Sequence, residues 1–227
     1  IAVENGYYAT FMPKPIQAQN GSGMHVNMSL FKDGENAFCD PKRPGGLSNM
    51  CEHFLAGLMR HARELTAVTN QWINSYKRLT PGYEAPVYIS WAMQNRSDLI
   101  RIPATRPGKC VNTRLEYRAP DPACNPYLAF AALLWAGLEG VDNKYPLAKP
   151  FEGNLYKLSY RQRQELGIQQ LPGDLHEAIM EMESSKIMKD VLGEHVFINF
   201  IKNKMIEWNA FRTQVTGFEL DRYLAVL

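Results

Sequence analysis

The sequence predicts an α+β fold, an antiparallel sheet of short strands with packed helices in separate runs rather than alternating βαβ units. Three observations carry this. Residues 1–120 divide into short apolar runs separated by Gly, Asn and Pro turns, and residues 121–227 show helical spacing with recognisable caps. The composition, 45% hydrophobic and 21% charged over 227 residues, is that of an ordinary globular chain. That length suits one domain, residues 1–227, strand-rich over 1–120 and helical over 121–227.

Along the chain, residues 7–13 read as a strand, and residues 24–30 alternate Met24, Val26, Met28 and Leu30 with His25, Asn27 and Ser29. Between 49 and 69 the apolar residues Met50, Phe54, Leu55, Leu58, Met59, Leu65 and Val68 recur at helical spacing, with Asn49 and Glu52 as the N-cap signature. Short strands return at 87–93, 99–103 and 113–118. Asn125-Pro126 then opens an apolar helix, Asn as cap and Pro at the first helical position. Its apolar run over 127–138 falls short of the roughly 20 residues needed to span a membrane. Asp174 with Glu177 and Thr216 with Glu219 open two later helices. Between them Val196, Phe197, Phe200, Ile201, Met205 and Trp208 form a stripe read as core packing.

The formal charge of +2, from 25 basic and 23 acidic residues, excludes wholesale nucleic-acid or membrane-surface binding. Cys39, Cys51, Cys110 and Cys124 form no C-x-x-C pair, which argues against a zinc ribbon or dithiol redox motif. All four read as packing residues of a reduced, cytoplasmic protein. His53, His61, His176 and His195 read as structural. Ile1 opens the chain with no signal peptide, so it reads as a piece of something longer.

Local charge is more informative. Residues 74–118 carry eight basic residues, six of them Arg, against Glu84, Asp98 and Glu116. Guanidinium forks on strands suit bidentate contact with carboxylate or phosphate, so a small polyanionic ligand is implied. Strand alternation places Arg114, Glu116 and Arg118 on one face and Leu115 and Tyr117 on the other. The glycines of Asn20-Gly21-Ser22-Gly23 permit close backbone approach to a ligand, and Glu84 sits in a Pro- and Gly-bounded loop that could act as a flap.

Seven segments occur in the order found in one enzyme family: Asn20-Gly-Ser-Gly-Met-His25, Asn74-Ser-Tyr-Lys-Arg78, Pro81-Gly-Tyr-Glu84-Ala-Pro86, Asn95-Arg96-Ser97, Ile100-Arg101-Ile-Pro103, Arg114-Leu-Glu116-Tyr-Arg118 and Asp121-Pro-Ala-Cys-Asn-Pro126-Tyr. From about residue 8 to its end, the sequence resembles the C-terminal part of the catalytic domain of glutamine synthetase, of the bacterial or archaeal type I. The resemblance implies ATP-dependent ligation of ammonia to the side-chain carboxylate of glutamate through an acyl phosphate, with magnesium or manganese.

It further implies roles for named residues. His25 and Glu116 would hold the metal; Asn20, Gly21, Arg78 and Arg118 would hold glutamate; Asn27, Ser29, Arg101 and Arg114 would meet the nucleotide. Arg96 would neutralise the transferring phosphoryl group, and Glu84 would close over the acyl phosphate and take a proton from ammonium. The partners implied are glutamate, ammonia and ATP, in a ring-shaped homo-oligomer, a dodecamer by resemblance. The family's other metal carboxylates lie upstream of the matched segment, so the isolated chain is expected to be inactive. Asn154-Leu155-Tyr156 resembles the site at which some bacterial members are adenylylated, the alternative being a plain structural tyrosine. The competing functions are γ-glutamylation of a larger amine and a non-catalytic fragment or homologue.

Overall fold

The computed structural model describes residues 1–93, 95, 97–105 and 110–227, with Pro44 by its backbone alone. In chain order the strands are β1 (Val26–Met28), β2 (Phe31–Lys32), β3 (Glu35–Asn36), β4 (Trp91–Ala92), β5 (Ile100–Arg101) and β6 (Leu115–Tyr117). The helices are α1 (Asn49–Arg60), α2 (Ala62–Thr69), α3 (Ile73–Arg78), α4 (Pro126–Asp142), α5 (Tyr160–Glu165), α6 (Leu175–Glu183), α7 (Lys186–Arg212, broken at Gly193) and α8 (Gly217–Tyr223).

Four strands form one sheet in the order β1-β6-β5-β4, and β2 pairs with β3 in a separate hairpin. The α+β class holds, but the sheet is mixed: β1–β6 and β6–β5 are antiparallel, whereas β4 runs parallel to β5. Register places Val26, Tyr117, Ile100 and Trp91 in one cross-strand row and Asn27, Glu116, Arg101 and Ala92 in the next. Successive residues face opposite sides, so the first row enters the core and the second forms a polar face. Tyr117 and Ile100 are fully buried.

The helices cover the apolar side. α1 lies against α4 at glycine distance, because a Cβ on Gly57 would meet the Ala136 carbonyl oxygen at 2.2 Å and one on Gly140 would meet the His53 carbonyl oxygen at 2.2 Å. The expected caps at Asn125, Asp174 and Thr216 all accept from the following turn's N–H groups. No helix among the described residues is long and apolar enough to cross a membrane.

Four expectations are corrected. Residues 7–13 form no strand; they are irregular and Tyr7, Tyr8 and Phe11 are exposed, since an alternating run becomes a strand only where a neighbour pairs with it. The helix over 49–69 breaks at His61 (φ −94°, ψ 5°) into α1 and α2. Ser48, not Asn49, caps α1: its Oγ accepts from the Cys51 N–H at 3.1 Å, while Asn49 and Glu52 accept from Arg43. Cys39 and Cys110 are joined as a disulfide across 71 residues of sequence. The cause is tertiary: the Asn36 side chain donates to the Val111 and Thr113 carbonyls at 2.7 and 2.8 Å and brings the hairpin to that segment. Cys51 and Cys124 remain buried packing residues.

His61 ties this break to its surroundings. Its Nδ1 lies 2.9 Å from Glu64 Oε1, its Nε2 bonds Glu139 of α4, and Glu64 also accepts from Ser185, the cap of α7. Burial alone would lower the His61 pKa, but Glu64 and Glu139 together outweigh it and hold it above 6.5. Burial likewise opposes ionisation of Glu64, yet His61 and Ser185 hold its pKa below 4.5.

Two outcomes follow. Gly57→Ala should destabilise the chain by about 1–3 kcal/mol in urea unfolding, because α1 and α4 must separate to admit the methyl group. A raised histidine pKa contributes stability that is full below the unfolded value and is lost as pH rises through the folded one. A lowered carboxylate pKa contributes stability above its unfolded value, lost as pH falls. The loss caused by His61→Gln should therefore be greatest between pH 4.5 and 6.5 and shrink above that window, read from urea midpoints across pH. A pH-independent loss would refute the ionic role.

Candidate active site

The polar sheet face is built around Glu116, 5% exposed in the inner strand β6. His25, just before β1, places Nδ1 2.9 Å from Glu116 Oε1. Arg101, paired with Glu116 by register, donates Nε to Oε2 at 3.0 Å and a second N–H to the same oxygen. Arg118 Nε lies 3.6 Å from Glu116 Oε1, and its Nη1 donates to the Asp98 carbonyl at 3.2 Å. Burial opposes the Glu116 charge, but Arg101, His25 and Arg118 outweigh it and hold the carboxyl below its ordinary value. Burial, followed by Arg118, lowers the His25 pKa and favours the neutral imidazole. Beside them Arg114 donates Nε to Asn27 Oδ1 at 3.0 Å.

A neutral imidazole with a carboxylate is a donor set that suits a divalent cation. The described residues contain no group of three such ligands.

The loop carrying Asn20 and Gly21 is positioned from α3. Asn74 accepts from the Lys14 N–H at 2.7 Å and donates to the Lys14 carbonyl at 3.0 Å, and the Ser22 N–H closes the loop onto the Pro13 carbonyl at 2.8 Å. A Cβ on Gly21 would lie 2.4 Å from that backbone carbonyl oxygen, so glycine is required there by close approach, and one on Gly23 would lie 2.5 Å from Arg78 Nη2 and displace the end of that side chain. Asn20 itself is exposed at the loop's tip.

Arg78 sits beneath this loop, 3% exposed. It donates to the carbonyls of Ala119 (2.5 Å), Pro120 (3.3 Å) and Arg118 (3.1 Å), so its fork supports the chain leaving β6 rather than facing solvent. Burial brings its pKa down to about 10, leaving it charged at neutral pH.

Two cavities flank the face. One, about 450 Å³, is lined by Ser29, Asn36, Thr113 and Arg114 among others. The other, about 370 Å³, is lined by Glu84, Asn95, Ser97, Arg118, Glu152 and Tyr156. Glu84 is exposed and adopts a left-handed backbone, φ 56°. Arg96 lies outside the described residues. The structure thus gathers His25, Asn27, Arg101, Arg114, Glu116 and Arg118 on one face, with Asn20 and Gly21 at its end and Glu84 across the second cavity.

Asn74 and Asp121 lie in quoted segments without an expected role of their own, and Tyr156 is expected only as a modification-site resemblance or a structural tyrosine. Asp121, fully buried, accepts from Asn70 at 3.0 Å and from the Ala123 N–H at 3.1 Å and so braces the turn on which Arg78 acts.

The fold is of the α+β class, and this polar face gathers several arginines around one buried carboxylate. The chain belongs to the glutamine synthetase catalytic-domain family, which it matches over residues 1–223. It is 57% identical to the glutamine synthetase of Methanosarcina mazei over 227 residues, all of this chain and 50% of that protein. It is 55% identical to that of Thermotoga maritima over 224 residues, 99% of this chain and 50% of that protein. The chain therefore spans about half the length of the curated relatives it matches. Among solved structures it is similar to apo GmaS without ligand (TM-score 0.83, 35% identity, 98% of this chain and 49% of that one). It is similar also to a GmaS/ADP complex (TM-score 0.85, 33% identity, 98% and 50%).

Removing the Arg78 fork takes one donor from each of three buried carbonyls, of which Ala119 keeps Asn70 Nδ2 and Pro120 keeps the Met24 N–H. Arg78→Met should cost about 2–5 kcal/mol in urea unfolding of this chain, whereas exposed Arg114→Met should stay within about 0.5 kcal/mol. Equal effects would show that Arg78 carries no structural load.

Proposed function

We propose that the full-length protein is an ATP-dependent ligase that joins ammonia to the side-chain carboxylate of glutamate, forming glutamine through a γ-glutamyl phosphate. The observation that carries this reading is the cross-strand row Asn27–Glu116–Arg101 with His25 and Arg118 on the same carboxylate. It occurs in a chain aligned throughout with glutamine synthetases. The ADP-bound neighbour supports a nucleotide as the other ligand.

A carboxylate is a poor acyl donor, so one oxygen must first be made into a leaving group. Transfer of the terminal phosphoryl group from ATP does this, and ammonia then displaces phosphate at the acyl carbon. Asn27, Ser29, Arg101 and Arg114 would face the nucleotide, Ser29 and Arg114 from the larger cavity. Asn20, Gly21 and Arg118 would bind glutamate, with Arg78 acting through the backbone beneath. Arg96 would offset charge on the phosphoryl group in flight. His25 and Glu116 would hold magnesium or manganese, which when bound neutralises phosphate charge. Glu84 would exclude water from the acyl phosphate and accept a proton from ammonium. A cytoplasmic, ring-shaped homo-oligomer of twelve copies is proposed with this activity.

Assay of the full-length protein with ATP and glutamate, adding ammonia or polyamines, tests the reading. Product with ammonia is expected; product with polyamines alone would shift the acceptor to a larger amine, and phosphate release with neither would overturn the ligase. Glu84→Ala should leave ATP cleavage running while glutamine formation falls by about 10² or more, since proton acceptance follows phosphoryl transfer. Equal loss of both would make Glu84 a binding residue instead.

A further inference from the structure

The Glu84 loop is short and strained, and something must hold it. Glu84 is a non-glycine residue at φ 56°, a conformation that persists only where its surroundings enforce it. The next residue, Ala85, is 2% exposed, so its carbonyl must find a protein partner. Pro86 follows and offers no N–H. The partner is Tyr156, whose Oη donates to the Ala85 carbonyl at 2.8 Å across 71 residues of sequence.

Tyr156 is itself well fixed. Its N–H donates to Asn154 Oδ1 at 3.0 Å, the neighbouring Leu155 is fully buried, and its ring packs 6.1 Å from that of Tyr88. The segment before it is anchored to the site: the Phe151 N–H donates to the Trp91 carbonyl at 3.0 Å, and Asn95 Nδ2 donates to the Gly153 carbonyl at 2.8 Å. Burial holds the Tyr156 phenol above its ordinary pKa, so the hydroxyl stays a donor. Tyr156, Glu84 and Arg118 line the same cavity.

We infer that Tyr156 is a positioning residue for Glu84: its hydroxyl fixes the peptide that follows the flap glutamate and so sets how well the loop seals the acyl phosphate from water. This role rests on the ligase reading above. When the seal is poor, water replaces ammonia at the acyl carbon, the C–O bond to phosphate breaks, and glutamate and inorganic phosphate are released. The net result is ATP hydrolysis without amide formation.

Tyr156→Phe in the full-length protein keeps the ring and deletes the hydroxyl. The ratio of phosphate released to glutamine formed should rise by about 3- to 10-fold over wild type, the worth of one hydrogen bond, with the KM for glutamate within about twofold. Amide exchange over residues 82–87 should quicken by a similar factor, a measurement that needs no turnover. A purely structural tyrosine would lower total activity without moving the ratio. A wild-type ratio in the variant overturns the role while leaving the ligase standing. A wild-type protein that forms no product overturns the ligase, and unchanged exchange would then overturn the tyrosine's hold on the loop as well.

Discussion

The Glu116 carboxylate is the interaction on which the polar face depends. It is almost completely buried in the central strand pairing, and His25, Arg101 and Arg118 converge on its two oxygens at 2.5 to 3.6 Å. Removing a charge from water is costly unless it is paired and hydrogen-bonded, and this one is paired several times over. The dependence is mutual, because without the carboxylate the guanidinium groups of Arg101 and Arg118 would face each other across a desolvated site. It also binds the register: slipping β6 by one residue would turn Glu116 into the core and Tyr117 onto the face.

Behind that face the load is carried by backbone contacts. α1 meets α4 through Gly57 and Gly140, leaving the two helices no room for a methyl group. Arg78 and Asp121 brace the turn that leaves β6, and Asn74 fixes the Lys14 backbone and with it the loop bearing Asn20 and Gly21. These residues meet carbonyl and N–H groups, so their chemistry is that of support. The family's site motifs therefore contain two kinds of residue: those whose polar ends face the cavities, and those that hold the first kind in place.

Part of this division was legible beforehand. Strand alternation correctly put His25, Asn27 and Ser29 opposite Met24, Val26 and Met28, and put Glu116 opposite Leu115 and Tyr117, because a period of two leaves no freedom once the strand is accepted. The caps at Asn125, Asp174 and Thr216 were equally visible, being local chemistry within four residues. The burial of Arg78 was not visible. Whether an arginine fork meets a ligand or a carbonyl depends on which chain segment passes beneath it, and that segment lies about 40 residues away in sequence.

What the sequence by itself determined is the class of fold, the faces of its strands, the helix starts at Asn125, Asp174 and Thr216 and the family, since each is written in periodicity, capping and ordered motifs. What only the tertiary structure decided is which of those faces and loops meet: the parallel pairing of β4 with β5, the break at His61, the Cys39–Cys110 bond, the absence of a strand at 7–13 and the contact of Tyr156 with the Glu84 loop. The physical reason is that each depends on what another segment presents, or fails to present, against it, and a residue's own neighbours carry no record of the strand, carbonyl, carboxylate or sulfur that folding will bring.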